Sequence, residues 1–443
     1  MHWRVHHKIV MLFTKDQQSA ISAIKRGRNV MITGPGGTGK TTIINHLLTI
    51  KDALGVTAMT GAAAVLINGV TLHSYLGIGL GKDSEDALVR KIGGREELRL
   101  KWCTTSTLVV DEISMLPADL FDKLNRIAKR VRKREEPFGG MQLVFGGDFL
   151  QLPCIKGDFC FESKAWKECG FEIFHLTKIM RQADEKFQAC LNRARFGEMT
   201  DDDLEYVTQS APTEEKIASM EIKPTRILCK NVDVDEINQA NLEQLPAETI
   251  HKYKYKIEYN ANYVPRVHQH MFKDITKLCN AQPKLSLSVG AQVMLLVNID
   301  VKRGLVNGSR GVVTRFLESK TLNGKGKEKV KYRPIIRFGN TEKTEMAVSR
   351  HGYEIKHGNH LIATIYQIPL KLAYAVTVHK SQGLTLDSAM INLRGVFEYG
   401  QAYVALSRVR DINSLFLKNA TKATFRAHPK ALEFYRQLET TED

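Results

Sequence analysis

Apolar positions along this chain follow two rhythms, and the rhythms alternate. Short unbroken apolar runs at 29–33, 56–58, 108–110 and 141–145 have the length and make-up of strands buried on both faces of a parallel sheet. Around them the spacing turns helical. Ile21 and Ile24 follow Thr14, a suitable N-cap; 41–48 reads as a helix; Leu120, Leu124, Ile127 and Val131 fall on one helical face. This alternation predicts an α/β fold with a parallel sheet. It restarts at 226–229 with a helix over 231–245, and resumes over 373–386 and 400–408.

Two stretches break the pattern. Between 285 and 366 come short β-like runs, at 293–297, 311–316, 329–338 and 362–367, with turn signals at Asn307-Gly308 and Asn323-Gly324. They predict a small β-barrel inserted into a second α/β domain, with the basic stretch 325–333 as an exposed hairpin. The stretch 79–99 is polar, charged and glycine-containing, and is expected to be a surface insertion spanning about 75–105. The predicted organisation is a first parallel-sheet domain at 1–183, a second in two parts at 184–284 and 367–443, and the inserted barrel at 285–366.

Composition narrows the setting. The 443 residues are 43% hydrophobic, enough for real cores and against a disordered chain. A formal charge of +16 points to a polyanionic partner, nucleic acid first, or to a solubilising lysine-rich surface. Seven cysteines without a Cys-x-x-Cys pair fit reduced thiols inside a cell better than a disulfide framework or a zinc site. His2, His6 and His7 read as a surface cluster. No apolar run reaches membrane-spanning length, and residues 1–13 make a poor signal peptide, so an intracellular protein without a membrane is expected.

The chemistry centres on 34–41. Gly34, Gly36, Gly37, Gly39, Lys40 and Thr41 fit the phosphate-loop pattern, with Thr38 and Thr42 inside and after it, and a strand and a helix flank it as the motif requires. Glycines let the backbone approach phosphates, and amides at the helix start point at negative charge. Lys40 is assigned to the β/γ-phosphates and Thr41 to Mg²⁺. About 70 residues later, a buried strand ends in Asp111, a Mg²⁺ ligand, and Glu112, which polarises the attacking water. Gln17, just upstream of the loop, is a candidate reader of the adenine edge. Gln151 is a candidate γ-phosphate sensor. Phe149 suits either base stacking or the core. Arg181 and Arg408 are candidates to stabilise transition-state charge, although Arg408 taken alone reads better as an ordinary helix arginine.

Taken in order, the blocks at 34–41, 57–64 with 71–74, 111–115, 147–153, 377–383 and 403–408 resemble a superfamily-one helicase. More narrowly, they resemble the Pif-one family of 5′-to-3′ DNA helicases, over about 13–438. The resemblance implies two RecA-like domains with ATP between them and a Src-homology-3-like inserted barrel. It implies that Gln17 sits at adenine and that Arg181 and Arg408 reach the γ-phosphate from the second domain. It places Thr60, Gly61, Ala62, His73, Ser74, His379 and Lys380 in blocks that touch single-stranded DNA. The expected partners are single-stranded DNA and tailed or forked duplex, with a monomeric motor serving replication, repair or recombination. The expected location is nuclear in a eukaryote, and the cytoplasm or a replication site in a bacterium or virus. An RNA helicase, a protein-displacing translocase and a plain phosphate-loop kinase or GTPase are the rival readings. The kinase reading leaves the second domain without a purpose.

Overall fold

The computed structural model of the chain describes residues 13–209, 214–260, 281–300, 303–322, 328–339, 344–357 and 360–442. The chain start with His2, His6 and His7, and the turn at Asn323-Gly324 with the first residues of the expected hairpin, lie outside the described residues.

Strands β1 (Val30–Thr33), β2 (Leu54–Ala58), β3 (Val70–Thr71), β4 (Thr107–Asp111), β5 (Gln142–Gly147) and β6 (Glu172–His175) form one sheet in the order β3-β2-β4-β5-β1-β6. Every neighbouring pair is parallel. β1, β4 and β5 are buried along their whole length, so their sequences run apolar without alternating. Thr14 caps the helix Lys15–Lys25 through a capping box with Gln17. The parallel order brings the ends of β1 and β4, and with them the phosphate loop and the carboxylate pair, to the same edge of the sheet.

The second parallel sheet has the order Ala375–Thr377, Thr225–Leu228, Ala389–Asn392, Leu415–Lys418. Its first strand in sequence thus pairs with strands from about 150 residues further on. Ile227, Val376, Ile391 and Leu415 share a core with the helix Glu185–Phe196, whose Phe187, Leu191 and Ala194 are buried there.

Between the two segments of that sheet the described strands are antiparallel. Arg310–Leu322 pairs with Glu328–Phe338 in a long hairpin, and the five-stranded sheet continues to Gln292–Leu295 and Leu370–Leu372. The antiparallel region is wider than 285–366. His251–Lys254 pairs with Lys284–Leu287, and Lys256–Tyr259 with His360–Gln367. His251–Lys254 and Lys256–Tyr259 are four residues each and pair with strands distant in sequence, so their local pattern did not announce them.

The stretch 75–105, expected as a surface insertion, contributes side chains to the first core. Two short helices, Glu85–Gly93 and Glu96–Thr104, bury Leu88, Ile92, Leu98 and Trp102 in one core with Leu120, Phe121 and Leu124 of the helix Ala118–Arg132. Each helix carries one i, i+4 apolar pair, too short a period to stand out among charged neighbours. The basic face of Ala118–Arg132 is a solvated one: Arg126 and Arg130 meet Glu85 at 2.8 and 3.0 Å. A further departure lies at the chain end. Ala431 and Tyr435 of the helix Pro429–Glu442 sit in the core of the first sheet, not the second. Among the described residues no helix is long and apolar enough to cross a membrane.

Candidate active site and strand groove

The phosphate loop leaves β1 and turns into the helix Lys40–Leu47. Two of its glycines are demanded by both backbone and space. Gly37 and Gly39 have φ of +89° and +88°, and a Cβ there would lie 2.6 Å from Arg181 Cβ and from Gln17 Nε2, respectively. The loop is braced from behind. Gln17 is buried; its Nε2 donates to Thr38 O at 3.0 Å and its Oε1 accepts from Thr14 N at 3.0 Å. Thr38 Oγ1 donates to Pro35 O at 3.0 Å. The Lys40 ammonium donates to the carbonyls of Gly34 and Pro35 at 2.7 and 2.9 Å. Burial lowers its pKa, against the pull of the Asp148, Glu112 and Asp111 carboxylates.

A cleft of about 480 Å³ opens in front of the loop. Gly36, Gly37, Gly39, Lys40, Thr41 and Thr42 form one wall. Asp111, Glu112, Gln151, Arg181 and Arg408 line the cleft as well. Gln17, Gly34 and Thr38 support the loop and do not line the cleft. Asp111 Oδ1 accepts the Glu112 N–H at 2.9 Å, and burial raises its pKa. Glu112 takes a left-handed backbone, φ 56° and ψ 47°. Burial, and then the neighbouring charge of Asp111, push its pKa up to about 7. Its Oε2 accepts a 2.8 Å hydrogen bond from Gln382 Nε2. Gln151 is buried, with Nε2 at 3.5 Å from Asp148 Oδ2.

The two arginines converge. A Cβ placed on Gly36 would lie 3.4 Å from Arg408 Nη2 and 3.6 Å from Arg181 Nη1. Arg408 is held by Val404 O at 2.8 Å and Ser407 Oγ at 2.7 Å, and burial lowers its pKa. Burial, and then the charge of Arg408, push Arg181 down to about 9. Arg181 does not come from the second sheet. It follows β6 in the first, and Met180 N donates to Gly37 O at 2.9 Å. Its Nη1 reaches across to Ser407 O at 2.9 Å. Of the pair, only Arg408 belongs to the opposite lobe.

A second cleft, about 880 Å³, runs between the lobes. Thr60, Gly61 and Ala62 from the first sheet face His379 and Lys380 across it. His379 Nε2 lies 3.0 Å from Glu398 Oε2. His73 and Ser74, on the short helix Leu72–Tyr75, are half-buried and line neither cleft. Phe149 corrects the stacking assignment. It is fully buried, edge-on to Phe159, Phe161 and Phe434, with no face open to a base.

Several contributors carried no assigned role in the sequence. Tyr403 Oη accepts the Gly36 N–H at 2.9 Å from the opposite lobe. Asp148 is gripped by Arg195 through two 2.9 Å contacts and accepts from Tyr435 Oη at 2.9 Å. Asp148, Gln382 and Tyr403 stand inside the motif blocks. Arg195 and Tyr435 stand outside them, and their part depends on contacts 47 and 287 residues away.

Comparison with known proteins gives a consistent result. The model for the PIF1-like helicase family matches residues 12–202, and that for the DNA helicase Pif1 2B domain matches 273–316. The ATP-dependent DNA helicase PIF1 of Xenopus laevis is 38% identical over 96% of this chain, which spans 64% of that relative's length. The uncharacterized protein 030L of Invertebrate iridescent virus 6 is 36% identical over 97% of this chain and 95% of its own. A crystal structure of Pif1 helicase from Bacteroides, in complex with ADP-AlF3 and ssDNA, superposes with a TM-score of 0.64 at 30% identity, covering 98% of both chains.

Proposed function

The chain belongs to the PIF1-like helicase family, and from that premise we propose that it is an ATP-hydrolysing motor that tracks along single-stranded DNA and unwinds duplex in the 5′-to-3′ direction. The observation that carries the reading is a single contact between the clefts. Gln382 ends the helix Val378–Ser381, which presents His379 and Lys380 to the wider cleft, and its side chain donates to Glu112 beside the phosphate loop. The group that orients water for hydrolysis is thus tied to the element that would hold the strand. The named activity of the Xenopus relative and the ligands of the Bacteroides complex support the same reading.

In this reading ATP lies in the smaller cleft, its phosphates on the amides of the loop and on Lys40. Thr41 and Asp111 both line that cleft and offer hard oxygen donors. The Asp111 carboxylate is buried with its pKa raised, an acid short of compensating positive charge, which suits Mg²⁺. When bound, that ion neutralises charge on the β- and γ-phosphates. Glu112 takes the proton of the attacking water. Arg181 from the near lobe and Arg408 from the far lobe stabilise the developing charge, so closure of the lobes completes the site. The strand runs in the wider cleft between Thr60, Gly61 and Ala62 and the His379–Lys380 turn. Release of Arg408 after hydrolysis lets the lobes part and the grip alternate.

Unwinding of 5′-tailed and 3′-tailed duplexes, each with DNA and RNA tails, tests the proposal. The 5′ DNA tail is expected to support unwinding. Equal unwinding from a 3′ tail refutes the polarity, and a preference for RNA tails refutes the substrate. Lys40→Ala is expected to bind DNA yet lose DNA-stimulated ATP hydrolysis; near-normal turnover refutes the site.

A further inference from the structure

We propose that Lys371 is a further phosphate-binding residue of the strand groove, its ammonium ion set beside that of Lys380 to receive one backbone phosphate of single-stranded DNA. The inference rests on the wider cleft being the strand's path.

Lys371 sits in the strand Leu370–Leu372, opposite Met294 of the antiparallel partner Gln292–Leu295. Leu370 and Leu372 pack into the apolar core beneath that sheet. Alternation along the strand sends the residue between them to the other face, and there Lys371 lines the cleft, half-buried. Four charged or titratable groups share that lining: Asp235 on the helix Asn231–Glu243, Lys284 on Lys284–Leu287, and His379 and Lys380 on Val378–Ser381. His379 is engaged with Glu398, and among the described residues the Lys371 side chain has no ion pair or hydrogen bond. The nearest influence on its charge is the like charge of Lys380. An ammonium that shares a cleft with a second ammonium and has no carboxylate paired to it is unfavourable until an anion bridges the two. Burial and Lys380 together push the Lys371 pKa down to about 8, the cost of holding that arrangement without an anion. Opposite lie Thr60, Gly61 and Ala62, whose small side chains leave room for a polymer.

The sign of the pH effect follows. A phosphate at Lys371 favours the protonated form, so binding takes up a proton where the free groove has lost one. Affinity is full below a pH of about 8 and falls as the pH rises through it.

The test is fluorescence anisotropy of a short labelled oligodeoxyadenylate on the full chain, over a salt series and from roughly pH 7 to 9. The wild type is expected to lose about tenfold in affinity across that range. Lys371→Gln is expected to bind more weakly, with a salt slope shallower by about 0.7 and a flat pH profile. Lys371→Arg, which cannot lose its proton, is expected to keep the salt slope and lose the pH dependence. Thermal melting checks both variants, and if the glutamine variant fails to fold the arginine variant decides alone. A Lys371→Gln profile matching wild type in slope and pH, or a Lys371→Arg profile that keeps the pH dependence, overturns the proposal. Inorganic phosphate displacing the oligonucleotide at equal phosphate concentration also overturns it, in favour of a lone-anion site. A wild type that binds no single strand overturns the groove reading instead.

Discussion

Asp111 and Glu112 are neighbours with different work, and the backbone separates them. Asp111 ends β4 in extended geometry, while Glu112 turns into the left-handed region and faces the opposite lobe. The sequence showed the pair but not that turn, because an acidic dipeptide carries no signal for φ of 56°. With its pKa up to about 7, Glu112 is protonated in about half of free molecules at neutral pH. It must be ionised to accept a proton, so kcat/KM for ATP is expected to fall tenfold per unit below a pH of about 7 and to level above it. Glu112→Gln is expected to cost about 10²–10⁴-fold in turnover and to retain nucleotide binding. A pH–rate profile with nucleotide titration checks both. Phe149 shows the limit of residue-level reading. An aromatic in a motif block suits a base or a core equally, and four aromatic side chains around one position decided for the core.

Among the elements, the helix Pro429–Glu442 is a clamp. Its Tyr435 hydroxyl donates to Asp148 and accepts from Thr33 Oγ1 and, at 3.3 Å, from the Phe149 N–H, all fully buried. Arg195 stacks on the Tyr435 ring at 4.6 Å while gripping Asp148. The last helix, the helix Glu185–Phe196 and the end of β5 thus meet on one carboxylate, and that carboxylate contributes to the field at Lys40. Tyr435→Phe strands several buried groups and is expected to cost about 1–3 kcal/mol. Arg195→Met leaves the buried Asp148 charge without its ion-pair partner and is expected to cost about 3–5 kcal/mol. Thermal and chemical unfolding measure both, with the arginine change expected to be the larger. The helix itself is not placed by its sequence, since apolar positions on a terminal amphipathic segment do not say which core they will join.

Across the whole molecule, coupling between strand and nucleotide is expected to pass through Gln382. Removing a hydrogen bond to a charged group costs about 1.5–3 kcal/mol, or about ten- to a hundredfold in rate. Gln382→Leu is therefore expected to bind single strands and ATP yet lose most DNA stimulation of hydrolysis. Stimulation at the wild-type level would remove Gln382 from the coupling. By itself the sequence determined the α/β class, the buried strands, the phosphate loop, the acidic pair and the blocks that carry Gln151, His379, Lys380 and Arg408. Buried strands and glycine loops are local demands of backbone and solvent, so they are written in consecutive residues. The tertiary structure decided the rest: that Arg181 stands on the near lobe, that 75–105 is core, that the antiparallel region begins near 251 and that the chain end returns to the first sheet. It also set Gln382 against Glu112 and brought Lys371 and Lys380 into one cleft. Those outcomes depend on which surfaces meet, and pairings over tens to hundreds of residues leave no period along the chain.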